Sequence, residues 1–420
     1  MNSSNPSNKA SPDQPIFDAY GKYISPTYPA FLKKLGLDRV AAKATGATIT
    51  DSAGRTYIDC VGGYGLFNLG HNHPEVVKAL KEQLDKEQLF TRPLITDVAV
   101  ELAEKMVEIT SGELTCMFLC NSGSEAIDSA IKLARLCTRK PEIITAENSF
   151  HGYTFGALSA SGILSFKKLF EPMVPGVRHV PYGNVKALKD TINEKTAAVL
   201  LEPIQHEAGI LLPPEGYLAE VRRLCDNRSV LLILDEIKTG FGKTGSMFAY
   251  EHFQATPDIL VLGKSLGGGL VPAGTLVAKP WVWRKFGLSF SMSASSFSGN
   301  VMASRAALTA IRIFQENGFL NNCREKGIAL LKGLREKAVE HTELIKDVSG
   351  LGFLLGIELN PPYKALGLAR EMIQRGVLAL PAYGNPSVLM IEPPLVISSG
   401  QIDAVIHALA GALKKLERAI

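Results

Sequence analysis

Between about residues 96 and 309 the chain alternates short runs of Ile, Leu and Val with longer stretches whose apolar residues recur at helical spacing. The runs include CMFLC, EIITAE, AAVLLEPI, VLLILDEI and ILVLG. The helical stretches include residues 96–110, SEAIDSAIKLARLC and YLAEVRRLCD. Strands without polar alternation are buried on both faces, and the intervening helices supply the cover. The pattern therefore predicts an α/β fold around a mostly parallel sheet covered by helices. Crossovers in such a sheet are right-handed, and a site is expected at the carboxyl ends of its strands.

The alternation stops near Asn300. Beyond it come helical stretches at about 301–315 and 322–341, short strands in GFLLGIEL and SVLMIEPP, a helix over 364–375 between them, and an amphipathic helix over 401–418. This reads as a smaller α+β unit. Near the start, ATITDSAGRTYIDC predicts two strands joined by a turn at Asp51–Gly54, and Pro74 after Asn72 marks a helix start. These strands also lack the βα alternation, which would let them join the smaller unit. The expected organisation is a disordered tail at 1–15, an N-terminal segment over 16–75 joining the small domain, a large domain over 76–309 and a small domain over 310–420. A chain of 420 residues exceeds what one core usually spans, in keeping with that division.

Hydrophobic residues make up 46% of the chain and charged residues 20%, with a formal net charge of +4. That balance argues against nucleic acid and membrane surfaces as partners. The six cysteines are scattered, and the N-terminus lacks a signal-peptide pattern, so reduced thiols and a cytoplasmic location are expected. His71 and His73 sit in a Gly-flanked turn without a third ligand. They read as turn and capping residues, and no metal site is expected.

Chemistry concentrates at strand ends. Asp235 closes VLLILDEI, and Lys264 closes the next apolar strand, ahead of Gly267–Gly269. A carboxylate there needs a cation opposite it, and a lysine there has its ammonium form disfavoured, which leaves a nucleophilic amine. Such a lysine can form a Schiff base, and such an acid can keep a pyridinium nitrogen protonated, which together suggest pyridoxal phosphate (PLP). In CNSGSEAIDSAIKLAR, Ser122, Gly123 and Ser124 open a helix. Their N–H groups and the helix dipole suit a phosphate, although the same residues also make an ordinary N-cap. Phe150, before His151, can stack on a flat ring or fill core.

The motifs NSGSEA, FHG, EPIQHEAG, DEIKTGFGKTG, GKSLGGG and SSFSGN together resemble the class III (ω-)aminotransferases, PLP-dependent enzymes of fold type I, in order over about residues 45–415. GGYGLFNLGHNHP, LLPPEGYLAEVRRLCD and IEPPL are most similar to the putrescine aminotransferase branch. The resemblance implies transfer of an amino group from a primary amine or amino-acid-like substrate to a carbonyl acceptor, through a Schiff base, a quinonoid and pyridoxamine phosphate. It makes Lys264 the Schiff-base lysine and Asp235 the partner of the ring nitrogen. Phe150 and Ile237 would lie on the two ring faces, with His151 beside them, and Ser122, Gly123 and Ser124 at the phosphate. Ser296 stands where the family has a Thr that reaches the neighbouring subunit's phosphate, which implies a homodimer with composite sites.

Three positions depart from the family pattern. Lys238 replaces a Gln expected at the cofactor's phenolic oxygen. His206 replaces a Gly before the active-site Glu207. Met390 replaces the arginine that binds substrate carboxylates and otherwise pairs with that Glu, so Glu207 loses its usual partner, a place Lys238 could take. Methionine cannot replace a bidentate guanidinium, so poor use of glutamate and 2-oxoglutarate is expected. The same changes suit an alternative, a family member repurposed for decarboxylation, β- or γ-elimination and replacement, or carbon–carbon bond formation.

Overall fold

The computed structural model describes residues 12–87, 94–110, 112–286, 295–361 and 364–418. A small N-terminal sheet begins with β1 (Ala41–Thr45), β2 (Thr48–Asp51) and β3 (Thr56–Asp59), joined as antiparallel neighbours. The expected tail over 1–15 lies mostly outside the described residues. At its end the structure differs, because a helix already runs from Gln14 to Tyr23. Asp13 is buried ahead of that helix, accepting from the Ser52 hydroxyl and, at 3.2 Å, from the Val40 N–H. Long-range partners thus order residues that composition alone marks as loose.

The central sheet holds β4 (Cys116–Cys120), β5 (Glu142–Ala146), β6 (Val177–Val180), β7 (Thr196–Leu201), β8 (Leu231–Asp235), β9 (Ile259–Leu262) and β10 (Gly274–Ala278), in the order β4-β10-β9-β8-β7-β5-β6. From β9 across to β6 every pairing is parallel, while β10 runs antiparallel to both β4 and β9. Every residue of β7, β8 and β9 is buried, as their almost wholly apolar sequences require. The helix Gly123–Thr138 covers one face with a stripe that includes Ala126, Ile127, Ala130, Ile131 and Ala134.

The C-terminal part carries β11 (Ile345–Leu351), β12 (Leu354–Leu359), β13 (Val377–Leu378), β14 (Leu380–Pro381) and β15 (Val388–Ile391). Four of these form an antiparallel sheet in the order β11-β12-β15-β14, flanked by the helices Phe319–Val339 and Lys364–Gln374, and the helix Ser399–Glu417 packs on both helices. The fifth, β13, pairs in parallel with β3 and so ties the N-terminal sheet to this region. Pro74 opens the helix Pro74–Lys86 as its sequence predicts, but His73 makes no side-chain cap and His71 instead meets Asp59 at 2.8 Å. No described helix is long and apolar enough to cross a membrane.

Candidate active site

Parallel strands β8 and β9 end side by side, and their last residues lead into one cavity of about 200 Å3. Asp235 ends β8 with its carboxylate buried. One oxygen accepts the Ile237 N–H at 3.1 Å, and the other lies 2.7 Å from Nδ1 of His151. His151 is itself fixed through Nε2, 3.1 Å from the Thr145 hydroxyl. Lys264 follows β9 with φ 46°, a left-handed conformation that costs a non-glycine residue roughly 1–3 kcal/mol and that surrounding structure must enforce. Burial, reinforced by the nearby Lys238 charge, pushes the Lys264 ammonium down to about 8. About a tenth of its amine is therefore neutral at pH 7, several hundred times the fraction of a lysine in water.

The opposite end of the cavity is the turn from β4 into the helix Gly123–Thr138. Ser122 caps that helix, its hydroxyl accepting the Glu125 N–H at 3.2 Å, and the Ser124 hydroxyl accepts the Tyr153 N–H at 3.2 Å. A Cβ on Gly123 would stand 2.7 Å from Cδ1 of Ile237, so only glycine lets the turn close against that side chain. Phe150 and Ile237 both line the cavity, together with Ser122, Gly123, Ser124, His151, His206, Asp235, Lys238 and Lys264. Ten of the residues singled out from sequence therefore line one cavity.

The other three are placed differently. Glu207 is buried beside the cavity, accepting the Tyr383 N–H at 2.9 Å, and burial raises its carboxyl above the usual range. Ser296 is exposed and does not line this chain's cavity. Met390 lies on β15, packed with Ile204, Ile210, Leu354 and Ala382 rather than facing the cavity. Lys238 does line the cavity, yet its ammonium pairs with Glu392 at 2.7 Å, not with Glu207.

Sequence reasoning passed over several neighbours. Glu202 follows β7, is fully enclosed, and accepts the Phe150 N–H at 3.0 Å. Tyr64 and Tyr383 share a hydroxyl contact of 3.0 Å beside Glu207 and Lys238. Glu392 anchors Lys238 by its carboxylate and Lys243 by its carbonyl, and burial pushes Lys243 down to about 8.

A half-buried lysine and a buried, doubly held aspartate at adjacent strand ends, with a helix N-terminus across the cavity, define a lysine-based cofactor enzyme on a doubly wound α/β fold. The class-III aminotransferase model matches residues 33–413, and the chain belongs to that family. It superposes on the ornithine aminotransferase of Toxoplasma gondii with a TM-score of 0.91 at 28% identity, covering 98% of this chain and 97% of that one. A transaminase from the marine bacterium Virgibacillus gives 0.90 at 27%, covering 96% and 99%. Acetylornithine aminotransferase from Elizabethkingia anophelis gives 0.81 at 28%, again covering 96% and 99%. These matches establish a PLP-dependent aminotransferase of fold type I. The residues present suit that cofactor: a depressed lysine for its aldehyde, an oriented carboxylate for its ring nitrogen and a helix N-terminus for its phosphate. When bound, PLP supplies an electron sink for the carbon bearing the amino group.

Proposed function

We propose that this aminotransferase takes its amino group from a primary amine that needs no carboxylate beside the reacting carbon, and passes it to a carbonyl acceptor. One observation carries the choice of donor: among the described residues no arginine lines the cavity, whose cations are Lys264 and Lys238, the latter already bound to Glu392. A substrate carboxylate would meet Glu202 and Asp235 without a guanidinium to hold it. Glu207 offers an acceptor for a second ammonium, which supports a diamine of the putrescine kind.

In this reading Lys264 makes the covalent link and moves the proton at the reacting carbon. Asp235, oriented by His151 and the Ile237 N–H, keeps a proton on the ring nitrogen. Ser122, Gly123 and Ser124 hold the phosphate, while Phe150 and Ile237 confine the ring. Lys238 stands at the cofactor's edge, and His206 and Glu207 face the substrate. Ser296, exposed here, completes the site of a second copy in a homodimer. The six free cysteines support a reducing compartment such as the cytoplasm.

The test is a panel of amines and amino acids, with mass analysis of product and cofactor after borohydride reduction. Simple amines should convert the cofactor to its amino form, and the reduced adduct should map to Lys264. Turnover confined to amino acids, or turnover that never yields the amino form, would refute the reading.

A further inference from the structure

His206 is 4% exposed, yet it lines the cavity, and neither ring nitrogen has an aligned hydrogen-bond partner. Nδ1 lies 2.6 Å from Oε1 of Glu202, and Nε2 lies 3.5 Å from Oε1 of Glu207. Nδ1 is thus within hydrogen-bond range of Glu202, though out of line with it, whereas Nε2 is left without a partner at that range. Phe150 meets it edge-on at a centroid distance of 6.1 Å and holds its plane. An unpaired polar group at such depth is costly, and persists where a ligand completes it.

The surrounding charges define what that ligand can be. Burial, followed by the Lys264 and Lys238 charges, drives the imidazole well below its ordinary range, so the ring is neutral. Burial, followed by the Asp235 charge, drives the Glu202 carboxyl well above its range, which favours the protonated acid. An anion would meet Asp235 with no free cation other than Lys264. A cation would gain little from a neutral ring and is better served by Glu207. A neutral donor or acceptor fits.

We propose that His206 is a specificity-determining residue that hydrogen-bonds a neutral group, a hydroxyl or an amide, carried next to the amino-bearing carbon of the substrate. This rests on the amine-donor reading above. Among primary amines, diamines included, those that carry a hydroxyl or amide at that place are then preferred over analogues of the same shape without it.

The probes are 1-amino-2-propanol and isobutylamine, which differ by a hydroxyl in place of a methyl. Calorimetric binding to the holoenzyme and kcat/KM should both favour the alcohol by about tenfold or more, because a site built around a hydroxyl rejects the analogue lacking it. His206→Leu should bring the pair to within about threefold by lowering kcat/KM for the alcohol more than for isobutylamine. His206→Gln should retain part of the preference, and His206→Gly repeats the test without adding volume. Equal handling by the parent, or a preference that survives both His206→Leu and His206→Gly, would overturn the assignment. Turnover of both amines without preference removes this inference and leaves the amine-donor reading standing. Preference in binding without turnover of any amine does the reverse.

Discussion

The Lys238–Glu392 pair offers a test in which two mutations should move one observable in opposite directions. The two side chains are 2% and 1% exposed and meet at 2.7 Å. At an effective dielectric of about 20 their attraction is roughly 6 kcal/mol, most of it offset by the desolvation of both ions. Removing one partner leaves the other buried and uncompensated, at about 3–5 kcal/mol. Glu392→Gln and Lys238→Met, both close in volume, should each destabilise by that amount, whereas the double variant should return to within about 1–2 kcal/mol of the parent. Denaturant unfolding of the cofactor-free protein measures this coupling. The second readout is Lys264. The Lys238 charge lowers its proton affinity and the Glu392 charge raises it, from a starting point of about 8. Lys238→Met should therefore slow modification of Lys264 by an amine reagent at pH 7, moving its titration midpoint toward that of free lysine. Glu392→Gln should move the midpoint below 8 and speed modification. General loosening of the site would shift both variants the same way. That outcome, or single variants within about 1 kcal/mol of the parent, would refute the electrostatic account.

Two further predictions concern packing around the site. On β10, a Cβ at Gly274 would sit 2.1 Å from the Ser122 carbonyl oxygen and 3.1 Å from the Gly123 nitrogen. Gly274→Ala should displace the Ser122–Ser124 turn, weaken PLP binding to the apo protein by about tenfold or more and cost about 1–3 kcal/mol of stability; an unchanged dissociation constant would remove that turn from the phosphate site. At β15, Met390→Leu should cost under about 1.5 kcal/mol, whereas Met390→Arg forces a guanidinium among Ile204, Ile210, Leu354 and Ala382 and should cost several kcal/mol without improving glutamate use. A stable Met390→Arg protein that gains glutamate activity would show that the new side chain reaches the cavity.

What could be read from the chain depended on whether burial was complete. Strands β7, β8 and β9 are apolar at nearly every position because both faces are covered, and the parallel core was legible from them. Edge strand β6 reads VRHV, and β11 reads IKDVSGL with a broken alternation; neither carries that signature, so both escaped notice. The two-residue strands β13 and β14 are too short to leave any periodicity, yet β13 ties the N-terminal sheet to the C-terminal region. At the site, the rule that found Asp235, an acid where an apolar strand ends, applies equally to Glu202 after β7 and Glu392 after β15. The rule locates each acid but cannot name its partner. Lys238 is 154 residues from Glu392, and His151 is 84 from Asp235. Only the fold shows that two of these acids are held by an aligned basic group, while the third faces an imidazole without alignment. A buried acid without a compensating cation keeps its proton. Glu202 is shifted in that direction, and its neighbour His206 is left with an Nε2 on the cavity wall that has no aligned partner.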